Sequence, residues 1–181
     1  GARAILVLEN FAATVEEVVE LTELKTVIVS RLGDHLPAVR RVITDLVVKY
    51  VKRLVPKWRI DGAVPYITAL ANGGRRDYQS VDVGPDDIAF LQYTGGTTGV
   101  AKGAVLTHRN MVANVVQAAA WARPVIEGPG DVIVTPLPLY HIFSLTINLF
   151  SFVELGGHNL LITNPRDVPG FIKELKKTTF T

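Results

Sequence analysis

The segment best equipped for chemistry is Tyr93-Thr94-Gly95-Gly96-Thr97-Thr98-Gly99-Val100-Ala101-Lys102-Gly103, which sets four glycines, three threonines and one lysine within eleven residues. Glycine lets a backbone turn through positive φ and approach a ligand closely. Successive backbone N–H groups in such a bend form a concave site for an anion. Threonine hydroxyls add donors, and Lys102 adds a mobile point charge. Together these groups suit a polyphosphate. A hairpin that needed glycine and threonine for turn geometry alone would not account for this density, which weakens a fold unless a ligand rewards it. A Walker A loop places its lysine directly after glycine and opens a helix. Here Lys102 follows Ala101, and Ala104-Val105-Leu106-Thr107 beyond it reads as a strand. The G-x-G-x-x-G dinucleotide fingerprint is absent too. The sequence therefore predicts a strand–loop–strand phosphate site.

Other chemistries are excluded by composition. There is no cysteine, so disulfides, Cys-based zinc sites and thiol catalysis fall away. The four histidines, His35, His108, His141 and His158, are scattered and form no metal-ligand spacing. Nineteen basic against seventeen acidic residues leave a net charge of +2, too little to suggest nucleic acid as a partner. Hydrophobic residues at 48% and charged residues at 20% indicate a globular chain. Its 181 residues suit one domain or a lopsided pair. Residues 132–153 carry no Asp, Glu, Lys or Arg, but Pro136 and Pro138 divide the run. It reads as a buried strand, a loop and a buried helix rather than a membrane span.

The elements that must position the loop follow from periodicity. Ile5–Leu8 and Thr26–Val29 read as strands, the first buried on both faces. Phe11–Leu21 between them is an amphipathic helix, which makes a parallel βαβ unit with a right-handed crossover. Residues 38–55 form a second helix, with Val39, Ile43, Leu46, Val47, Tyr50 and Leu54 on one face. Arg41 and Lys52 lie opposite, Lys49 lies on the flank, and Arg53 sits at the edge of the apolar stripe. Residues 31–60 carry eight basic and two acidic side chains, so contact with an anionic surface is sought there first. The apolar stripe is expected to pack on the core, leaving reversible electrostatic contact with anionic membrane. Residues 61–86 are the least regular. Strands at 88–93, 104–107, 132–134 and 160–162 alternate with helices at 108–122, 144–155 and 167–177. Thr107 and Asp167 serve as N-caps, and Gly156 as a left-handed C-cap. A strand is expected to open at Phe180-Thr181. The resulting organisation is a βαβ unit and basic helix over 1–60, an excursion over 61–86, and the phosphate-loop region over 87–181.

The glycine-rich segment, together with Pro138-Leu139-Tyr140-His141-Ile142-Phe143, resembles the signatures of the adenylate-forming (acyl-CoA synthetase) superfamily. Many members of that superfamily carry Ser where this chain has Gly95, and Pro where it has Ala101. The strings LQYTGGTTGVAKGAVLTHRN, PLYHIFSLTIN and ELGGHNLLITNPRD are similar to the bacterial long-chain fatty-acid–CoA ligase subfamily, and the likeness extends more weakly to Leu46–Lys57. The resemblance implies part of an α/β N-terminal AMP-binding domain, with mostly parallel sheet and helices on both faces. It implies ATP-dependent conversion of a fatty acid to acyl-adenylate with release of pyrophosphate, then transfer to coenzyme A. It assigns Tyr93, Thr94, Gly95, Gly96, Thr97, Thr98, Gly99, Val100, Ala101, Lys102, Gly103 and Ala104 to nucleotide binding. Lys102 and His141 take catalytic roles, and His141, Phe143 and Leu145 contact substrate. Phe143, Leu145 and Leu149 are explained equally well by core packing. Mg²⁺ is expected with a carboxylate ligand downstream of Thr181, and no metal ligand is assigned here. The implied location is the cytoplasm, with peripheral contact at the inner membrane. Two other functions remain open: activation of an aryl or amino acid, and a non-catalytic nucleotide- or phosphate-binding module. Both chain ends read as cuts through a fold, so the 181 residues alone are expected to be inactive and to self-associate.

Overall fold

In a computed structural model, residues 1–94, 102–126 and 128–181 are described. They form two compact units, Gly1–Ser80 and Val81–Thr181.

The first unit builds the expected parallel βαβ motif. Strand β1 (Ala4–Leu8), helix α1 (Ala12–Val19) and strand β2 (Thr26–Ser30) follow one another, and Ala4 lies opposite Thr26 in parallel register. The segment expected to be irregular adds strand β3 (Val64–Pro65), parallel to β2, and a helix over Tyr66–Gly73. Val15, Val27, Val29 and Ile60 form the core, with Ile5, Val7, Val19 and Trp58 packed against it. Strand β1 is not buried on both faces as expected. Alternate side chains point to opposite sides of a strand. Ile5 and Val7 reach the core, while Leu6 and Leu8 stay exposed because the opposite side of the sheet is left open.

Helix α2 (Ala38–Leu46) runs on through wider π turns at Val47–Val51. It ends earlier than the predicted residue 55, because Arg53 adopts left-handed backbone at φ 51°. Its orientation reverses the expectation from sequence. The polar side faces inward: Asp45 Oδ1 accepts from the Gly33 N–H at 3.1 Å, and Arg41, Thr44, Asp45 and Val48 are half-buried. The buried Glu9 carboxylate receives Lys49 Nζ at 3.5 Å and Arg31 Nε at 3.3 Å. Burying a carboxylate is costly unless it is paired, and two cations supply the pairing. With the polar side committed inward, Val39, Ile43, Leu46 and Tyr50 face solvent. The eight-residue helix at Tyr66–Gly73 is α3.

The second unit opens with β4 (Ile88–Thr94) and β5 (Lys102–Thr107), an antiparallel pair. Strand β5 begins two residues earlier than predicted, at Lys102. It passes directly into α4 (His108–Ala122) through the expected cap. Thr107 Oγ1 accepts from Asn110 N–H at 3.2 Å, and Asn110 Oδ1 accepts from Thr107 N–H at 3.1 Å. Strands β6 (Val132–Thr135) and β7 (His158–Leu161) are parallel. The chain between them makes π turns at Ser144–Ser151 and then α5 (Phe152–Leu155), closed by Gly156 at φ 75°. Helix α6 (Val168–Leu175) starts where Asp167 Oδ1 accepts from Gly170 N–H at 3.2 Å. No strand forms at Phe180-Thr181. Instead, Thr181 N–H donates to Val132 O at 3.1 Å, and Thr181 Oγ1 accepts from Val132 N–H at 3.3 Å. The described strands thus give a mixed α/β fold in three small sheets, two of them parallel.

Two stability measurements check this packing. Glu9→Ala removes the shared partner of Arg31 and Lys49 and should lower the unfolding free energy by about 2 kcal/mol in urea titration. Two glycine substitutions should move stability in opposite directions. A Cβ at Gly33 would lie 2.8 Å from the Arg41 carbonyl and 2.7 Å from Asp45 Oδ1. Gly33→Ala should therefore cost about 1–3 kcal/mol. A Cβ at Gly73, the last residue of α3, meets nothing within 4 Å, so Gly73→Ala should stabilise by about 0.5–1 kcal/mol.

Candidate functional site

The β4–β5 register brings the ends of the glycine-rich segment together. Tyr93 lies opposite Gly103, and Thr94 opposite Lys102. Gly95, Gly96, Thr97, Thr98, Gly99, Val100 and Ala101, all predicted to bind nucleotide, lie outside the described residues. Of the remaining residues in that prediction, Tyr93 and Thr94 end β4, while Lys102, Gly103 and Ala104 open β5. Gly103 has a local steric reason. A Cβ there would sit 3.3 Å from the Tyr93 ring, which spreads across the facing strand. Lys102 is exposed and makes no ion pair among the described residues. An unpaired ammonium at the end of a hairpin is available to an anionic ligand.

The start of β4 is tied to the start of α4. Arg109 N–H donates to Pro85 O at 2.7 Å and His108 N–H to Asp87 O at 3.0 Å. The Arg109 guanidinium also meets both Asp86 oxygens, at 3.0 and 3.2 Å. That pair is exposed, so its contribution is orientation more than energy. The backbone bonds and the Thr107 cap define where the hairpin meets its helix.

The second motif sits beyond the carboxyl end of β6. His141 N–H donates to Pro138 O at 2.9 Å, closing a turn, and Leu145 N–H donates to His141 O at 2.8 Å, opening the π turns. Fully buried Ser144 donates from Oγ to Leu137 O at 3.0 Å, which pins the turn to the helix that follows. The His141 and Phe143 side chains are exposed, and Leu145 is half-buried. Gln92 joins the two motifs: its Nε2 donates to the Tyr140 carbonyl at 3.3 Å. The β4–β5 hairpin and the His141 turn are therefore neighbours. The sequence offered Gln92 only as a strand residue, and nothing in its local pattern signals a partner 48 positions away.

A buried polar chain supports the same region. Thr135 Oγ1 donates to Asn159 Oδ1 at 2.7 Å, and Asn159 Nδ2 donates to Asn148 O at 2.7 Å. This chain connects β6, β7 and the π segment. Thr146 Oγ1 returns to Ile142 O, and Ser151 Oγ to Thr146 O, each at 2.9 Å. Hydroxyls that bond back to helix carbonyls let the widened turns be buried without orphan acceptors.

Two cavities flank these elements. One, of about 490 Å³, is lined by Phe90, Met111, Val112, Val115, Val116 and Phe150 among others. Its walls are mainly apolar and could hold a hydrocarbon chain. Phe143 and Leu145 do not line it. The second, about 480 Å³, lies between Pro136–Pro138 and Ile162–Arg166. This is the crevice beyond the carboxyl ends of β6 and β7, where open α/β sheets bind ligands. Among the described residues, no three His, Asp or Glu side chains gather as a metal site.

The comparisons agree with this architecture. A family model described as AMP-binding enzyme matches residues 2–181. Across all 181 residues the chain is 55% identical to the long-chain-fatty-acid–CoA ligase of Escherichia coli O6:H1, spanning 32% of that protein. It is 51% identical to the ligase of the same name from Haemophilus influenzae, over 99% of this chain and again 32% of the relative. The chain thus spans about a third of the length of these relatives. Two crystal structures share its fold. An anthranilate CoA ligase in complex with anthranoyl-AMP aligns at TM-score 0.67 and 17% identity, over 99% of this chain and 30% of that one. A long-chain-fatty-acid-CoA ligase from Archaeoglobus fulgidus aligns at TM-score 0.57 and 23% identity, over 97% and 28%. With a family model matched from residue 2 to residue 181, and with the glycine-rich segment carried between paired strands as its residues predicted, the chain belongs to the AMP-binding, adenylate-forming enzyme family.

Proposed function

We propose that the protein containing this chain is a long-chain fatty acid–CoA ligase. The observation that carries the reading is the hairpin that sets Thr94 opposite Lys102 across the glycine-rich segment, with the His141 turn attached through Gln92. The relatives' shared name and their 51–55% identity over the chain support it.

In the first step a fatty acid carboxylate oxygen attacks the α-phosphorus of ATP. The bond from that phosphorus to the bridging oxygen breaks, and pyrophosphate leaves with the electron pair. In the second step the coenzyme A thiolate attacks the acyl carbonyl and expels AMP. Lys102 neutralises charge on the departing phosphates. Residues 94–99 grip them through backbone N–H and hydroxyl donors, and Val100, Ala101, Gly103 and Ala104 complete the nucleotide contact. Tyr93 packs near the nucleotide. His141 lines the place where acyl group, α-phosphate and thiol meet, with Phe143 and Leu145 toward the acyl chain. Fixed charges and donors of this kind lower the barrier because they are in place before charge develops.

Mg²⁺ accompanies ATP in this reading. Among the described residues no three His, Asp or Glu side chains gather to hold it, and no step here is derived through it. Among the described residues no helix is long and apolar enough to cross a membrane. A cytoplasmic protein in peripheral contact with the inner membrane suits a substrate that partitions into lipid. The open side of β1, with Leu6 and Leu8 exposed, favours self-association of the 181 residues on their own.

Fatty-acid-dependent release of pyrophosphate by the full-length protein tests the reading. Lys102→Ala and Gly96→Ala should each slow it by about 10²-fold; wild-type rates in both would remove the loop from the mechanism. Benzoate or an amino acid supporting faster release than palmitate would place the protein elsewhere in the family. ATP binding without any acid-dependent release would make it a non-catalytic module. A second variant addresses the link between the motifs. Gln92→Leu removes the donor to Tyr140 at an exposed bond, so stability should change little. The turnover number should fall about tenfold while the KM for ATP stays near wild type, since the lost interaction positions the reacting groups.

A further inference from the structure

Helix α2 is mounted inside out. An amphipathic helix on a globular protein normally turns its apolar stripe to the core and its charges to water. Here the inward side holds Arg41, Thr44, Asp45 and Lys49, with Asp45 accepting from Gly33 N–H and Lys49 paired with buried Glu9. The outward stripe is apolar. Val39 is 73% exposed, Ile43 56%, Leu46 50% and Tyr50 65%. Val42, Val51 and Leu54 extend it, all more than half exposed.

The polar anchor is specified by named contacts, so the orientation is not a loose end of packing. Turning the stripe inward would swing Arg41, Asp45 and Lys49 out to solvent and break the Glu9 and Gly33 contacts, leaving the Glu9 carboxylate short of a cation.

Charge says what such a stripe fits. Residues 31–60 carry eight basic and two acidic residues. Arg31, Lys49 and Arg59 have acidic partners. Arg40, Lys52, Arg53 and Lys57 are exposed and make no ion pair among the described residues. On a helical projection Arg40 borders one edge of the stripe, while Lys52 and Arg53 follow at its C-terminal end. Tyr50 lies within the stripe and offers an apolar ring with a polar tip, the combination favoured at a lipid–water boundary. An apolar stripe edged by unpaired cations is the pattern of a helix lying in the plane of an anionic bilayer.

We infer that α2 is a membrane-docking helix whose outward stripe, Val39, Ile43, Leu46 and Tyr50, inserts among the acyl chains of an anionic bilayer while Arg40, Lys52 and Arg53 meet lipid phosphates. This goes beyond electrostatic contact with the stripe held against the core. The inference does not depend on the acyl-CoA chemistry, because it uses only the helix and its surroundings.

Co-sedimentation of the full-length protein with vesicles tests it. One vesicle is phosphatidylcholine mixed with phosphatidylglycerol, the other phosphatidylcholine alone. The combined variant Val39→Gln, Ile43→Gln, Leu46→Gln and Tyr50→Gln should bind anionic vesicles at least ~10-fold more weakly in low and in high salt, at an unchanged thermal midpoint. The variant Arg40→Gln, Lys52→Gln and Arg53→Gln should lose binding to anionic vesicles in low salt, with little change on phosphatidylcholine. Pyrophosphate release measured without vesicles should stay at wild-type rate in both, which separates a failure here from a failure of the ligase reading. Three results would overturn the inference. Equal vesicle binding by wild type and the apolar variant places membrane contact elsewhere. A lower thermal midpoint in the apolar variant shows the stripe already covered by the protein's own chain. A wild-type dimer on size exclusion that the apolar variant converts to monomer assigns the stripe to a second copy.

Discussion

The candidate site depends on one register, Thr94 opposite Lys102 at the end of an antiparallel pair. In such a pair directly facing residues stand about 4.5–5.5 Å apart at their Cα atoms. The departure and return of the glycine-rich segment are therefore set by strand pairing rather than by the loop's own preferences. The same pairing places Gly103 under the Tyr93 ring, where any side chain would press on it. A one-residue slip would send Lys102 to the other face of the sheet and lose that fit at once. The Thr107 cap carries the register into α4, and Gln92, two positions before Thr94, carries it to the His141 turn.

The second unit is held behind that hairpin by polar groups as much as by apolar ones. Thr135, Ser144, Thr146, Asn148 and Ser151 are buried. Among the described residues, no buried side-chain polar atom lacks a partner. The Thr135–Asn159–Asn148 chain is directional, so it specifies how β6, β7 and the π segment meet in a way that apolar packing does not. The π turns follow from the same need. A widened turn offsets carbonyls from their usual donors, and the Thr146 and Ser151 hydroxyls take up that role. The result is a bonded support beneath a turn whose His141 and Phe143 side chains remain exposed.

The first unit uses one buried charge to opposite effect. Glu9 lies just past β1, Arg31 just past β2 and Lys49 on the π turns after α2, and their convergence holds a helix by its polar side. The apolar stripe is left outward as a consequence of where the charges are satisfied. The two units thus share a principle: polar contacts made inside decide which groups are presented outside.

Much of this was legible in the chain itself. The βαβ unit, the paired strands on either side of the glycine-rich segment, the Thr107 and Asp167 caps and the left-handed Gly156 follow from local periodicity and capping chemistry, which act over a few residues. The family was legible too, in the glycine-rich segment and in Pro138–Phe143. Tertiary structure alone decided the rest. Strand β1 could not be read as open on one side, because exposure depends on whether another layer covers it. The amphipathic pattern of residues 38–55 defines two faces of a helix but not which face turns inward. That choice was made by Glu9 and Gly33, which reach α2 from elsewhere in the fold. The link from Gln92 to Tyr140 was equally hidden, since side-chain–backbone bonds across 48 positions leave no local pattern. Periodicity records what each segment can bury; only the folded chain settles which partners are there to bury it.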